Sequence, residues 1–347
     1  MQRNTKTNPQ RHTKMNSARK KIYLVTGAAG FIGSRWVEFC NQKHISIISV
    51  DRLDLFESRP ENQGLAFGEK VDLHHLFDWL DQTNPHIDAI VHLGAITDTR
   101  ESDQAKLDDL NLGYSQRIWT YATQHKIPLI YASSAATYGD GQLGYTDDET
   151  QIPQLHALNL YGDSKQKFDL WALEQERRNF CPPQWSGFKF FNVYGFGESH
   201  KEFMSSVVLH AYHQIEKNQQ VTLFKSHKTG IPDGHQKRDF IFIDDILKVL
   251  HFALEKPIQR GIFNLGTGQA RTFLDLARGV FAATHHPEKI RFVDTPELIR
   301  DKYQYFTQAS MDKLRAEGYK EPFTSLEEGI AHYLKRLHSF KLTSSPL

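Results

Sequence analysis

Tyr161 and Lys165 stand four residues apart, and their types and spacing suit proton transfer. Residues at this spacing share one face of a helix, so a helix here would direct a phenol and an ammonium into the same cleft. A phenol has a pKa of about 10 and is a weak base at neutral pH, but a neighbouring cation favours the phenolate. The pair therefore predicts removal of a proton from an alcohol, provided that other elements place it beside a substrate.

A dinucleotide-binding pattern begins at residue 22. An apolar run leads into Gly27, Gly30 and Gly33, spaced G-x-x-G-x-x-G, and a helical pattern follows. Glycines in such a turn let backbone N–H groups approach a pyrophosphate at the positive end of the helix. A second strand at 45–50 ends in Asp51, an acid about twenty residues past the glycines that suits the adenosine ribose hydroxyls. Strand, helix, strand and acid in this order predict a bound dinucleotide.

The type of dinucleotide depends on the residues after the second strand. Asp51 alone favours NAD, whereas Arg52 beside it can pair bidentately with a 2′-phosphate. Arg59 is a second cation on the following loop. The sequence favours NADP and leaves NAD open.

Composition limits the class of protein. A chain of 347 residues is long enough for one large α/β domain with a smaller lobe. A net charge of +1 with 24% charged residues indicates neither a nucleic-acid partner nor a membrane surface. Two cysteines make no disulfide framework, and the eighteen histidines lack a metal-binding spacing, so we expect no metal. Residues 1–20 are polar and basic, which predicts a disordered tail without a secretory signal, and a cytoplasmic protein.

Strand and helix patterns alternate through the first half of the chain. A third strand ends at Asp72, which can hydrogen-bond an adenine amino group, and a fourth opens into the small residues 94–97. A long helix is predicted over 104–125, and a fifth strand at 128–132 leads to Ser134. This alternation predicts a doubly wound, Rossmann-like parallel sheet with ligands at the carboxyl ends of its strands. We therefore expect the Ser134 hydroxyl beside Tyr161, sharing a proton with a substrate alcohol.

A further strand is predicted over 187–195, and the pattern changes near residue 190. We expect residues 21–190 to form mainly the NADP-binding Rossmann domain. Residues 191–340 would form mainly a smaller C-terminal α/β substrate lobe, with some segments returning to the Rossmann domain. Residues 225–238 are rich in Lys, His, Gly and Pro, which is typical of a surface loop.

These motifs together resemble those of the extended short-chain dehydrogenase/reductase superfamily. The resemblance extends over about residues 20 to 340 and rests on the glycine turn, Ser133-Ser134-Ala135, Tyr161 with Lys165, and segments 191–195 and 264–268. Within the superfamily, the chain is similar to the ADP-L-glycero-D-manno-heptose 6-epimerase family. That closer similarity is carried by segment 131–139, by Ser199-His200-Lys201 with Met204, and by segment 303–309.

The resemblance implies an epimerase that inverts carbon six of an ADP-heptose with tightly bound NADP, supplying heptose for the lipopolysaccharide core. Tyr161 and Lys201 would handle protons on opposite sides of the nucleotide-sugar substrate, and Lys165 would bind the nicotinamide ribose and tune Tyr161. A homo-oligomer is also implied. The implied cofactor positions are Phe31, Ile32, Asp51, Arg52, Leu93, Gly94, Ala95, Ile96, Thr97, Asn111 and Val193. The implied substrate contacts are Ser134, Asn192, His210, Phe224, Lys225, Ser226, His227, Arg238 and Tyr303.

The chain departs from that family at three places. Gly27-Ala28 stands where paired glycines are common, residues 229–236 read as an insertion, and Glu202-Phe203 replaces small residues after Lys201. These departures leave open a related heptose or a different nucleotide.

Three other functions compete with this interpretation. A nucleotide-hexose 4-epimerase shares the cofactor site but has no evident need for Lys201. A sugar dehydratase needs an acidic pair where Ala135-Ala136 stands. A silent dinucleotide-binding scaffold has no use for Ser134, Tyr161 and Lys165 together.

Overall fold

The computed structural model describes residues 19–300 and 303–344. The predicted tail, residues 1–20, therefore lies outside the described residues except for Arg19 and Lys20. The strands are β1 (Ile22–Thr26), β2 (Ser46–Asp51), β3 (Glu69–Asp72), β4 (Ala89–His92), β5 (Leu129–Ser134), β6 (Trp185–Phe190), β7 (Asn192–Tyr194), β8 (Val221–Phe224), β9 (Lys237–Phe242), β10 (Gly261–Leu265), β11 (Ala270–Thr272) and β12 (Ile290–Val293).

Twelve α-helices connect or flank these strands within the described residues. They are α1 (Phe31–Gln42), α2 (Leu55–Ser58), α3 (Leu76–Thr83), α4 (Gln104–Leu107), α5 (Tyr114–Gln124), α6 (Leu160–Arg177), α7 (Val207–Asn218), α8 (Ile243–Glu255), α9 (Phe273–Ala283), α10 (Glu297–Arg300), α11 (Asp312–Ala316) and α12 (Leu326–Ser344). Short 3₁₀ helices at Ala135–Tyr138 and Ser199–Met204 matter for the site described below.

The central sheet has seven strands in the order β10-β6-β5-β4-β1-β2-β3. All of its pairings are parallel. Strands β4, β6 and β10 are buried along their whole length, as expected for a parallel sheet covered on both faces. The predicted doubly wound parallel sheet is thus confirmed. Its strand order reverses direction between β1 and β4, which is where such sheets bind ligands.

Two smaller sheets lie in the second half of the chain. β9 pairs in parallel with β7 and antiparallel with β11, and β8 pairs in parallel with β12. The same half also supplies β10 to the edge of the central sheet, beside β6. The division of the chain at residue 190 stays a prediction.

Two predicted elements are interrupted. The helix expected over 104–125 contains a π-helical turn at Asp108–Gly113 between α4 and α5. This turn places the fully buried Asn111 side chain against the Ile96 backbone and Ser164, and π-turns are frequent at functional sites. The strand expected over 187–195 is split after Phe190, because β7 leaves the central sheet to pair with β9.

Among the described residues, we find no helix with the length and apolar character needed to cross a bilayer.

Candidate active site

A groove of about 670 Å³ runs along the β1–α1 turn and the end of β4. The turn and the strand end touch closely: a Cβ on Gly27, which has φ +66°, would lie 2.6 Å from the Gly94 nitrogen. A Cβ on Gly33 would lie 2.0 Å from the Gly27 carbonyl oxygen. Only glycine is compatible with these approaches.

The N-terminus of α1 opens onto this groove. Its N-cap residue, Gly30, has no side-chain capping bond, and the first turn carries no acidic residue. The free N–H groups and the helix dipole therefore leave a site for an anion.

Asp51 lies at the far wall of the groove. Its Oδ2 accepts a hydrogen bond from the Ala29 N–H (3.0 Å), and its Oδ1 accepts one from the Arg52 N–H (2.9 Å). Burial raises the pKa of Asp51, while the two backbone bonds and Arg59 oppose that shift. Arg52 is more than half exposed and pairs with Asp54 at 2.7 Å; such surface pairs contribute little stability and rearrange readily.

Most of the predicted cofactor residues line this groove. Their role in binding a cofactor stays a proposal. Those that line it are Gly27, Gly30, Phe31, Ile32, Gly33, Asp51, Arg52, Leu93, Gly94, Ala95, Ile96 and Thr97. Four others do not: Asp72 caps the next turn by accepting from the His74 N–H (2.9 Å), Asn111 is buried behind Ile96, and Lys165 and Val193 line the neighbouring cavity. One oxygen of the Asp72 carboxylate therefore serves the backbone of its own turn, and the expected contact of Asp72 with adenine stays a prediction.

Sequence reasoning missed several groove residues. Leu73, His74, Lys106, Tyr114 and His200 all line it. The Tyr114 hydroxyl is buried and has no hydrogen-bond partner among the described residues. The only sequence signal for Tyr114 was an apolar helical spacing, which does not reveal a buried, unpaired hydroxyl.

A second cavity of about 320 Å³ adjoins the groove. The predicted catalytic residues Ser134, Tyr161, Lys165 and Lys201 all line it, together with Asn192. Helix α6 begins just before Tyr161, where the N-cap residue Asn159 accepts a bond from the Gly162 N–H at 2.8 Å. One turn later, the Lys165 ammonium donates to the Ala132 carbonyl at 3.0 Å, which fixes it against the end of β5.

Burial dominates the electrostatics of the Tyr161–Lys165 pair. It raises the pKa of Tyr161, although a hydrogen bond with Ser134 favours the phenolate. This direction is opposite to the one expected from a neighbouring cation, since desolvation of a phenolate outweighs the favourable contacts. Burial also lowers the pKa of Lys165 from 10.5 to about 8, with Asp169 opposing part of that shift.

Lys201 reaches the cavity from a different element, the 3₁₀ helix at Ser199–Met204. Its ammonium lies 5.9 Å from the centre of the Phe31 ring, and burial lowers its pKa while Glu198 raises it. Glu198 is buried and accepts bonds from the Gly195 N–H, the Ser206 N–H and the Ser206 hydroxyl. The residue after the lysine, Glu202, has φ 48° and ψ −119°, a conformation that favours glycine.

Three predicted substrate residues, Arg238, Tyr303 and Phe224, form a separate group beside the cavity. The Arg238 guanidinium lies 5.5 Å from the Phe273 ring centre and 5.6 Å from that of Tyr303. Tyr303 packs edge-on against Phe224 at 6.2 Å. Phe273 also lines the cavity, so it joins the two regions.

The remaining substrate positions are held by local contacts. Lys225 pairs with Asp294 at 3.3 Å, the Ser226 N–H donates to Asp233 Oδ1, and the His227 N–H donates to the Tyr305 hydroxyl. His210 is hydrogen-bonded to the Phe203 carbonyl. None of these four described residues lines the groove or the cavity.

Known proteins share this architecture. Residues 23–266 match the NAD dependent epimerase/dehydratase family. The ADP-L-glycero-D-manno-heptose-6-epimerase of Fusobacterium nucleatum subsp. nucleatum is 41% identical over 325 residues, covering 90% of this chain and 97% of the relative. The enzyme of that name from Nitratidesulfovibrio vulgaris (strain Hildenborough) is 42% identical over 321 residues, covering 91% and 97%.

Solved structures agree with these relatives. The crystal structure of the Helicobacter pylori ADP-L-glycero-D-manno-heptose-6-epimerase superposes with a TM-score of 0.77 at 26% identity, covering 92% of this chain and 97% of that one. A Thermus thermophilus UDP-glucose 4-epimerase in complex with NAD gives a TM-score of 0.71 at 23% identity, covering 91% and 99%, which shows the shared fold alone. The chain therefore belongs to the NAD dependent epimerase/dehydratase family and, within it, to the ADP-L-glycero-D-manno-heptose-6-epimerases, so that it is an epimerase with a nicotinamide dinucleotide as cofactor.

Proposed function

We propose that this protein inverts carbon six of ADP-D-glycero-D-manno-heptose to give the L-glycero epimer, with NADP as its resident cofactor. One observation carries the proposal: Tyr161 and Lys201, two groups able to carry a proton, line the same cavity from different elements. The names of the relatives supply the sugar and its nucleotide. Supply of heptose to lipopolysaccharide follows from that substrate and belongs to the same proposal, and a homo-oligomer stays a prediction.

The groove suits a dinucleotide in shape and in chemistry. The uncapped N-terminus of α1 fits a pyrophosphate, and Asp51 fits ribose hydroxyls. Tyr114, whose buried hydroxyl has no partner among the described residues, lines the same groove. A nicotinamide dinucleotide held there would supply reversible hydride transfer with a sugar carbon.

A 2′-phosphate is supported by the cations around Asp51. Arg52, Arg59 and Lys106 line the same groove, and the exposed Arg52 can exchange Asp54 for two phosphate oxygens. We therefore propose NADP ahead of NAD.

Different residues of the chain remove the proton from the substrate and return it. Tyr161 removes the proton from the hydroxyl on carbon six of one epimer, while Ser134 hydrogen-bonds the same oxygen and Lys165 favours the phenolate. Carbon six would pass through a ketone, whose other face would be presented before the alcohol re-forms. Lys201, on the other side, delivers the proton as the alcohol re-forms with inverted configuration. The reaction has no net redox change. One turnover leaves Tyr161 protonated and Lys201 neutral, so Tyr161 returns a proton to solvent and Lys201 takes one up before the next turnover in the same direction.

Substrate binding is assigned to the group of residues around Arg238. The Arg238 guanidinium lies near two aromatic rings and donates to the Lys237 and Gln304 carbonyls. These contacts hold the guanidinium in place, and its remaining N–H groups suit the oxygens of a diphosphate. Asn192 lines the cavity and would contact the sugar. The nucleotide would then lie along the Arg238 side, with the heptose directed toward Tyr161.

Direct assay tests the proposal. Purified protein incubated with ADP-D-glycero-D-manno-heptose, without added cofactor, should yield both epimers on chromatography. UDP-glucose, supplied in parallel, should stay unchanged. Only a 4-epimerase would convert it, and a 4-epimerase has no evident need for Lys201 in the cavity. Conversion of the UDP-hexose alone would favour the 4-epimerase, and no conversion of any nucleotide sugar despite stoichiometric cofactor would favour a silent scaffold.

A further inference from the structure

A buried ion pair lies directly behind the catalytic cavity. The Lys189 ammonium on β6 is 2.6 Å from Oδ2 of Asp169 on α6, and both side chains are completely buried. The chemistry proposed above uses neither residue. Burying two charges costs free energy, and the attraction between them often fails to recover it. Stabilisation of the fold alone is therefore a weak explanation for this pair.

The pair is fully hydrogen-bonded by the elements that carry the catalytic residues. Asp169 accepts from the Tyr131 hydroxyl (3.0 Å) and from the Ser133 hydroxyl (2.7 Å), both on β5. Lys189 also donates to the Thr137 hydroxyl (2.7 Å), which in turn donates to the Ser134 carbonyl (2.8 Å). The network therefore ties α6 to the strand and turn that present Ser134.

Asp169 continues the catalytic face of α6. Tyr161, Lys165 and Asp169 follow one another at intervals of four residues, so they lie along one face of the helix. The negative charge of Asp169 raises the pKa of Lys165 and of Tyr161, although burial is the larger cause of both shifts. Lys189 balances that charge from the β6 side.

Other titratable groups around the pair have fixed states. Tyr131 on β5 and Tyr138 on the 3₁₀ helix have pKa values well above the ordinary range through burial. Lys189 lies 5.3 Å from the Tyr138 ring centre. On β4, burial lowers the pKa of His92 to about 3, so this histidine is neutral beside Lys165. Two further carboxylates act more remotely, Glu149 on Tyr131 and Asp147 on Tyr138.

We propose that Asp169 and Lys189 are positioning residues of the catalytic helix, whose opposed fixed charges hold Tyr161 and Lys165 against β5 and set how readily that pair releases its proton. The effect on turnover rests on the proposed epimerase function, whereas the effect on the Tyr161 phenol does not. Removing one charge should therefore disturb the phenol in one direction, and removing the other should disturb it in the opposite direction.

Ultraviolet titration of the Tyr161 phenol tests the proposal. The chain has 13 tyrosines, so the Tyr161 signal is taken as the difference between each protein and the same protein carrying Tyr161→Phe. Asp169 is eight residues, about 12 Å along the helix axis, from Tyr161. A unit charge at that distance, with an effective dielectric constant of about 20, moves a pKa by about one unit.

Lys189→Met should raise the phenol midpoint by about one pH unit, and Asp169→Asn should lower it by a similar amount. The double variant, Asp169→Asn with Lys189→Met, should return the midpoint close to that of the unaltered protein, and Lys189→Arg should preserve it. Shifts in the same direction, or no shift in variants with native circular dichroism, would overturn the proposal.

A charge swap covers the case in which a single variant fails to fold. Asp169→Lys with Lys189→Asp keeps an ion pair but places the cation on α6, one turn from Lys165. The midpoint of the phenol should then fall, and an unchanged midpoint counts against the proposal. In protein that turns over ADP-heptose, the pH midpoint of kcat should move with the phenol. Absence of turnover in the unaltered protein would count against the proposed function only, because the phenol titration needs no substrate.

Discussion

Replacement of Lys165 by methionine is expected to stabilise the cofactor-free protein while removing its activity. Lys165 is 5% exposed, and burial lowers the pKa of its ammonium from 10.5 to about 8. That drop of about 2.5 pKa units (10.5 − 8) corresponds to about 3 kcal/mol, at about 1.36 kcal/mol per unit. The substitution also removes the hydrogen bond to the Ala132 carbonyl, which offsets about 1 kcal/mol. We therefore expect the free energy of unfolding to rise by about 2 kcal/mol at neutral pH.

The pH dependence of this gain has a definite sign. The folded-state pKa of Lys165 lies below the unfolded value, so the unfolded chain binds more protons between about pH 8 and pH 10.5. The stability conferred at this site therefore rises with pH across that window, and the burial cost is fully present below it. The advantage of Lys165→Met should be largest at neutral pH and should shrink as the pH approaches 10.5.

Urea denaturation of cofactor-stripped protein measures this difference, since a bound ligand would add its own stabilisation. Lys167→Met is the matched control, because Lys167 lies on the same helix, is 39% exposed and pairs with Asp163 at 2.9 Å. Its effect should stay below about 0.5 kcal/mol. A Lys165→Met protein that is no more stable than the unaltered one, or whose gain does not shrink with rising pH, would refute the reasoning.

Three further outcomes are expected. The Tyr161–Lys165 pair should release the first of its two protons near pH 8. The active form, with a phenolate and an ammonium, also holds one proton, so kcat should rise through this pH and then level off. A kcat that falls there would contradict this prediction. Asn111→Ala should cost about 2 kcal/mol in urea titrations and speed cofactor release, because it leaves the Ile96 N–H without its 2.8 Å partner; unchanged stability would show that the backbone finds another partner. Glu202→Gly should stabilise the protein by about 1 kcal/mol, since glycine adopts φ 48° without strain; a loss of stability would mean that the Glu202 side chain makes favourable contacts.

Local sequence patterns predicted the helix that carries Tyr161 and Lys165, because helix formation and the spacing of residues on a helix face follow short-range rules. The four-residue spacing of Tyr161 and Lys165 fixed a common helix face, and parallel strand order placed Ser134 at the same edge of the sheet as the glycines. Lys201 was different. Its segment has a 3₁₀ helix and a strained residue, so only the resemblance to known epimerases singled it out.

Features that depend on long-range packing could not be predicted. The π-helical turn at Asp108–Gly113 is formed around the hydrogen bonds of Asn111 to Ile96 and Ser164. No local sequence pattern predicts these bonds. The sequence likewise showed a cation beside Tyr161 but not the burial that reverses the expected pKa shift. The pairing of Asp169 with Lys189 joins residues twenty positions apart on different elements, so it also required the three-dimensional structure.

The most direct test asks whether the enzyme uses two separate proton carriers. Each heptose epimer is supplied alone to Lys201→Met protein, and both the epimer ratio and the absorbance of reduced nicotinamide are measured. In Lys201→Met we expect one epimer to reduce the cofactor through Tyr161, the other to fail, and neither to be converted. Tyr161→Phe is the mirror-image control, in which the opposite epimer alone should reduce the cofactor, through Lys201, again without conversion. Conversion by Lys201→Met at the rate of the unaltered enzyme would contradict the assignment of Lys201 as the second proton carrier.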